Sequence, residues 1–217
     1  MNKTIDTKQA TIIILVVAIL CLSVGFSAFS TALNISSSAN VSPDATTFSV
    51  VFSSSDSALE TNPINPKKSP ESIVATPATI NNASEPTISD LSATFTEPGQ
   101  SVTYNFYTRN TGEYDAFLKG ITFQNVQSQS ATKVCTANPG TTDSLVQAAC
   151  NDIQISIKVG NESEATATTN NITGHSLLQG SSEPVTVKIE YLSNGARADG
   201  DFSVSFGDIS LNYSSVD

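Results

Sequence analysis

The chain has 217 residues, with 10 Lys and Arg against 20 Asp and Glu, for a formal net charge of -10. That length suits one domain of ordinary size with an added segment. The acid excess leaves no basic stripe for phosphates, so no nucleic-acid partner is expected, and a single histidine, His175, argues against His-based catalysis and His-rich metal sites.

The first element in chain order is a charge-free apolar run from Ile12 to Phe29. At about 1.5 Å per residue a helix over it spans roughly 27 Å, at the short end of what crosses a bilayer. Lys3 and Lys8 precede it, and no Lys or Arg follows until Lys67, which predicts an internal N-terminus and an external remainder. Two outcomes fit. The run is either a signal segment cleaved near Ser30 or Ala32, or a retained single-pass anchor. Residues 1–32 therefore read as a cytoplasmic stub plus signal or transmembrane helix, and residues 33–217 as an extracellular domain. The expected location is the cell membrane with an outward domain, or the cell surface and medium after cleavage. Cys21, inside the run, reads as a small apolar filler.

Beyond Leu33 helix signals nearly vanish and period-two alternation takes over. Inward positions are expected at Phe48, Val50 and Phe52, then at Leu91, Ala93 and Phe95, then at Val102, Tyr104 and Phe106. Phe117–Phe123 is a less regular apolar stretch. Alternation returns at Ile153, Ile155, Ile157 and Val159, at Val185, Val187, Ile189 and Tyr191, and at Phe202, Val204 and Phe206. It changes phase at Gly207-Asp208, which predicts a β-bulge, and resumes at Ile209, Leu211 and Tyr213. Such runs, separated by Pro98-Gly99, Asn110-Thr111-Gly112 and Asn194-Gly195, predict an all-β fold, an antiparallel β-sandwich. Ser and Thr, about a quarter of the chain, suit strands and turns. Residues 53–86 hold five of the nine prolines and read as a long Pro-rich loop with an edge strand near Ser72–Thr76. Gly160–Gly174 reads as a second long connection.

Cys135 and Cys150 fall between the Phe123 and Ile153 strands. A disulfide is expected there, because the environment outside a cell permits one, and closing a loop of about 15 residues stabilises by roughly 3 kcal/mol. Two cysteines and one distant histidine make a poor zinc site. No Gly-x-Ser-x-Gly, His-Glu-x-x-His or phosphate-binding Gly loop occurs, so no catalytic residue, cofactor or metal is assigned. His175, between Gly174 and Ser176, reads as an exposed loop histidine. Asp199-Gly200-Asp201 offers two carboxylates in a turn, too few oxygens for a hard cation by itself. The seven Asn-x-Ser/Thr sequons barely exceed chance in so Ser/Thr-rich a chain. Tyr107, Tyr114 and Tyr191 are the aromatics that a sugar-binding reading would use, against strand packing as the plainer role.

Several stretches resemble one family. The run Val24-Gly25-Phe26-Ser27-Ala28-Phe29-Ser30, continuing to Leu33 and Ile35, is similar to the leader boundary of the camelysin/TasA-like exported Gram-positive surface and biofilm-matrix proteins. So are Pro98-Gly99-Gln100-Ser101 leading into Val102–Phe106, then Asn110-Thr111-Gly112 and Asp115-Ala116, and the later Leu177–Gly180 followed by Val185–Tyr191. The resemblance implies an Ig-like or jelly-roll-like sandwich, exported and in some members processed by a dedicated signal peptidase. In fibre-forming members the freed segment completes a neighbouring subunit's sheet; here it would start with Leu33 and Ile35 as a donated strand. The long Pro-rich loop and the expected disulfide depart from the fibre proteins. The expected function is an exported structural or adhesive cell-surface protein without catalysis. Its expected partners are the membrane, through the N-terminal helix, and further copies of itself or other surface proteins. The alternative is an extracellular binding module for carbohydrate or a partner protein.

Overall fold

The computed structural model describes residues 48–215 apart from 84, 128, 170, 171 and 173. The expected membrane segment Ile12–Phe29, the cleavage positions Ser30 and Ala32, and the donor strand at Leu33 and Ile35 lie outside the described residues. Among the described residues, no helix is long and apolar enough to cross a membrane.

Apart from one short helix, the regular structure of the described chain is antiparallel strand. In order come β1 (Val50–Ser53), β2 (Lys67–Ser69), β3 (Val74–Ala75), β4 (Thr79–Asn81), β5 (Thr87–Ser89), β6 (Ser92–Phe95), β7 (Ser101–Asn110) and β8 (Ala116–Phe123). Then come β9 (Lys133–Ala137), helix α1 (Asp143–Asn151), β10 (Ile153–Val159), β11 (Ala165–Thr166), β12 (Ser176–Leu177), β13 (Ser182–Tyr191), β14 (Phe202–Phe206) and β15 (Ile209–Ser214).

One layer is a six-stranded sheet in the order β1-β7-β13-β10-β11, with β2 pairing the first part of β7. Its long strands alternate as the period-two runs require: Val102, Tyr104 and Phe106 of β7 and Val185, Val187, Ile189 and Tyr191 of β13 are all fully buried. The facing layer consists of two smaller sheets, β12-β8-β15-β5-β4 and β3-β6-β14-β9. These share one underlying order. Four chain paths cross from one sheet to the other: β4 to β3, β5 to β6, β15 to β14 and β8 to β9, each in the same neighbour sequence. The facing layer is thus one sheet broken across its strands by a transverse seam. Phe95 of β6 and Phe202 of β14 meet Tyr191 of β13 edge-on across the layers, at 6.1 and 5.6 Å between ring centroids.

The seam corrects one expectation. Gly207-Asp208 is not a bulge within a single strand; it is where the chain leaves one small sheet for the other. The phase change in the sequence is real, but its cause is a change of partners, from β6 and β9 to β5 and β8. A register shift does occur in β15, between Asn212 and Tyr213.

Among the elements not visible in the sequence are β2 and β4, within residues 53–86, and a helix in the cysteine segment. Residues 53–86 carry three short strands, β2, β3 and β4, of which β3 is the edge strand expected near Ser72–Thr76. The cysteine segment contains α1, whose Val146, Ala149 and Cys150 are buried at helical spacing. This helix packs against β9, to which Cys150 is linked, and leads into β10.

Candidate functional site

A concavity follows the seam. It is a groove of about 720 Å³, lined by Asp90, Asp208, Gln124, Asn125, Gln127, Ser89 and Ser92 among others. Backbone hydrogen bonds carry the chain across it singly: Gln124 N–H to the Asp208 carbonyl at 2.8 Å, Phe206 N–H to the Leu91 carbonyl at 2.9 Å and Gly207 N–H to the Thr132 carbonyl at 3.1 Å. Gly207 is required by closeness. A Cβ there would stand 2.0 Å from the Gln124 carbonyl oxygen. Asp90 turns the chain between β5 and β6 with a left-handed φ of 61°, a conformation that Asp tolerates better than most residues.

The groove is an acceptor-rich surface. Burial pushes the Asp208 carboxyl above its ordinary value, and the charge of Asp90 pushes it the same way. No Lys, Arg or His lines it among the described residues. Two carboxylates, three carboxamides and several hydroxyls can accept hydrogen bonds from hydroxyl or ammonium groups of a ligand.

Cys135 of β9 and Cys150 of α1 are brought together, their sulfurs at bonding distance (1.99 Å) and their Cα atoms 6.0 Å apart. Around this corner the Asp199 carboxylate accepts the Thr142 N–H at 2.8 Å and the Thr142 hydroxyl at 2.6 Å, serving the N-terminus of α1 from a distant loop. Those hydrogen bonds, the hydroxyl's first, hold the Asp199 carboxyl below its ordinary value. Asp201 contributes its carbonyl, to Asn138 N–H and the Thr141 hydroxyl. The Asp199-Gly200-Asp201 turn is therefore occupied in bracing the helix. Lys133 of β9 donates to the Ile153 carbonyl at 2.6 Å; burial pushes its ammonium down, against the opposing pull of Asp152.

The aromatic candidates separate. Tyr191 is wholly buried, with its hydroxyl on the Ala196 carbonyl, so it is a packing residue. Tyr107 is half-buried on the outer face of β7, and Tyr114 is 54% exposed in the β7–β8 turn. Neither lines the seam groove.

His175 differs from its reading as an exposed loop residue. Its side chain is only 15% exposed and lies between Glu162 and Glu183. Glu183 is the unexpected member. It sits on β13 in phase with the inward Val185, facing the sandwich interior at the end where the described chain enters and leaves. The signal was present, since extending the alternation back from Val185 puts a carboxylate at an inward position; its histidine partner, however, comes from another connection. The two carboxylates bind opposite ring nitrogens and so do not converge on a common point. Among the described residues no group of three or more His, Cys, Asp or Glu is arranged to hold a metal ion.

Compared with known proteins, the chain matches no family model, no curated protein and no solved structure.

Proposed function

We propose that this is an exported structural or adhesive protein of the cell surface, held by its N-terminal segment or assembled into matrix fibres, and that it performs no catalysis. The observation that carries the reading is the disulfide-distance pair Cys135 and Cys150, in a domain that follows the charge-free run Ile12–Phe29. A disulfide persists in oxidising surroundings and is rare in a reducing cytosol. The antiparallel layers supply what a load-bearing surface domain needs, a continuous apolar core from β1 to β15. The resemblance to the camelysin/TasA-like proteins supports the Ig-like or jelly-roll-like assignment and the matrix role. The N-terminal residue and intact mass of the native mature protein test the reading: a retained or cleaved leader with an oxidised cysteine pair is expected. A full-length chain with free thiols in the cytosol would overturn it. Fibre assembly in particular predicts that polymers form only after residues 1–32 are removed, which electron microscopy of Leu33–Asp217 checks.

A second reading is favoured by the seam groove. Its carboxylates and carboxamides suit a hydroxylated ligand, and would make the domain an extracellular binding module for carbohydrate or a partner protein. Signal on a glycan array that disappears in an Asp90→Ala variant supports this reading; a blank array removes it for sugars.

A further inference from the structure

The chain has one histidine, and the fold places it between two carboxylates. The Oε1 of Glu162 lies 2.9 Å from Nδ1, and the Oε2 of Glu183 lies 2.5 Å from Nε2. An imidazolium donates through both nitrogens, so it satisfies both contacts. A neutral ring has one N–H, and whichever tautomer forms must turn a lone pair toward a carboxylate. The arrangement is therefore built for the charged ring.

The three groups come from different parts of the chain. Glu183 belongs to β13. Glu162 and His175 stand near the two ends of the connection that leaves β10 at Gly160 and reaches β12 at Ser176. Gly160 packs so closely that a Cβ on it would lie 2.9 Å from the Glu183 carboxylate. Between these ends the connection supplies β11, which pairs with Ser156 and Ile157 and covers that part of the β10 edge. Ala165 and Ile172 are its buried apolar contacts.

We propose that His175 is a proton-operated latch: charged, it fastens to β13 the connection that follows β10, and neutral, it lets the β11 part of that connection lift from the β10 edge. The motion is a local opening and not an unfolding, because the long strands of the core do not depend on these contacts. An uncovered strand edge is a pairing surface, so the latch sets when the β10 edge is accessible.

The surrounding groups agree in sign. Burial pushes the imidazole pKa down, but the hydrogen bonds to Glu183 and Glu162 and then their charges outweigh it, and the net direction is up. On the β15 side lies Tyr213, whose phenol is pushed well up by burial and, in smaller part, by the charge of Glu183. From β8, Leu118 N–H binds the His175 carbonyl. The nearby Asp115 carboxylate is taken by Gln179 N–H, and the Lys119 side chain is exposed. For a histidine whose folded pKa is raised, the stabilisation is fully present below the unfolded value of about 6.5 and is lost as pH rises through the folded value.

Because there is one histidine, its imidazole resonances in a carbon–proton NMR correlation of the oxidised protein are unambiguous. The expected midpoint lies above the ordinary histidine value and falls in both Glu162→Gln and Glu183→Gln. Amide exchange, corrected for its intrinsic pH dependence, should show protection of Ile157, whose N–H faces β11, and of the β11 residues Ala165 and Thr166 falling across that midpoint, while Ser156, bonded to β13, keeps its protection. The ceiling on the loss is about tenfold for each pH unit by which the folded value exceeds the unfolded one. His175→Gln should give a flat protection profile at the low, unlatched level. A midpoint at or below the ordinary value overturns the proposal. So does unchanged protection across the titration, or a wild-type profile in His175→Gln.

Discussion

The side chain of Asn82 acts as a strand partner for Phe52. Its Nδ2 donates to the Phe52 carbonyl and its Oδ1 accepts the Phe52 N–H, both at 2.8 Å. A single amide thus reproduces the pair of bonds that a neighbouring residue would make in a ladder. It ties β1, in the six-stranded layer, to the turn after β4 in the facing layer. Asn82 also opens an Asn-Ala-Ser sequon, so the nitrogen that glycosylation would need is already engaged.

Replacing Asn82 with Ala leaves the N–H and carbonyl of a fully buried residue without their partners. A loss of about 1–3 kcal/mol is expected in urea unfolding. In a glycosylating host, peptide mass mapping should find Asn82 unmodified in the folded protein.

The Cys135–Cys150 link closes a loop of 15 residues and fastens α1 to β9. Reduction, or the double replacement by Ser, should cost about 2–4 kcal/mol. The first amides to lose exchange protection should be those of α1, because its buried face is only Val146, Ala149 and Cys150.

Gly207→Ala should be the most damaging small substitution in the seam. The obstacle is backbone: the Gln124 carbonyl oxygen at 2.0 Å and the Asn125 carbonyl carbon at 2.7 Å cannot swing aside like a side chain. A destabilisation of about 3 kcal/mol or more is expected in chemical denaturation, and a neutral result would show that the two small sheets do not pack as described.

Asp208 carries a pH dependence of opposite sign to the usual carboxylate. Its folded pKa is raised, by burial and then by Asp90, so the folded state prefers it protonated. Stability should therefore increase as pH falls through the folded value toward the unfolded value of about 3.9. Asp208→Asn removes the repulsion and should stabilise near neutral pH by about a few tenths of a kcal/mol, since solvent screens much of the interaction. A thermal melt of the two proteins at pH 4 and pH 7 checks this: the gain should shrink at the lower pH.

Tyr104 offers a spectroscopic check on the core. Its hydroxyl donates to the Thr76 carbonyl at 3.0 Å and the Ser92 carbonyl at 3.3 Å, and burial pushes its pKa up to about 12. Tyr104→Phe should cost about 0.5–1.5 kcal/mol and remove the tyrosine absorbance change that titrates near pH 12 in the intact protein.

Much of the strand content was legible because alternation is local. Val185, Val187, Ile189 and Tyr191 declare an inward face without reference to any other part of the chain, and so do Ile153 to Val159. The short elements were hidden for the opposite reason. β2 and β4 contain three residues each, and they are strands only because β7 and β5 offer them edges. Helix α1 left a trace in the spacing of Val146, Ala149 and Cys150, too short to stand out beside two strands.

The amino-acid order alone determined that this domain would be all-β, which faces its long strands would bury, and which two cysteines lay within reach of each other. Each follows from a period or a spacing along one stretch of chain. The tertiary structure decided that Gly207 and Asp208 join two sheets, that Asp90 and Asp208 share a groove, and that His175 meets Glu162 and Glu183. Those relationships depend on how far-apart strands are ordered in space, and pairing order is set by the global packing of apolar faces, which no local pattern records.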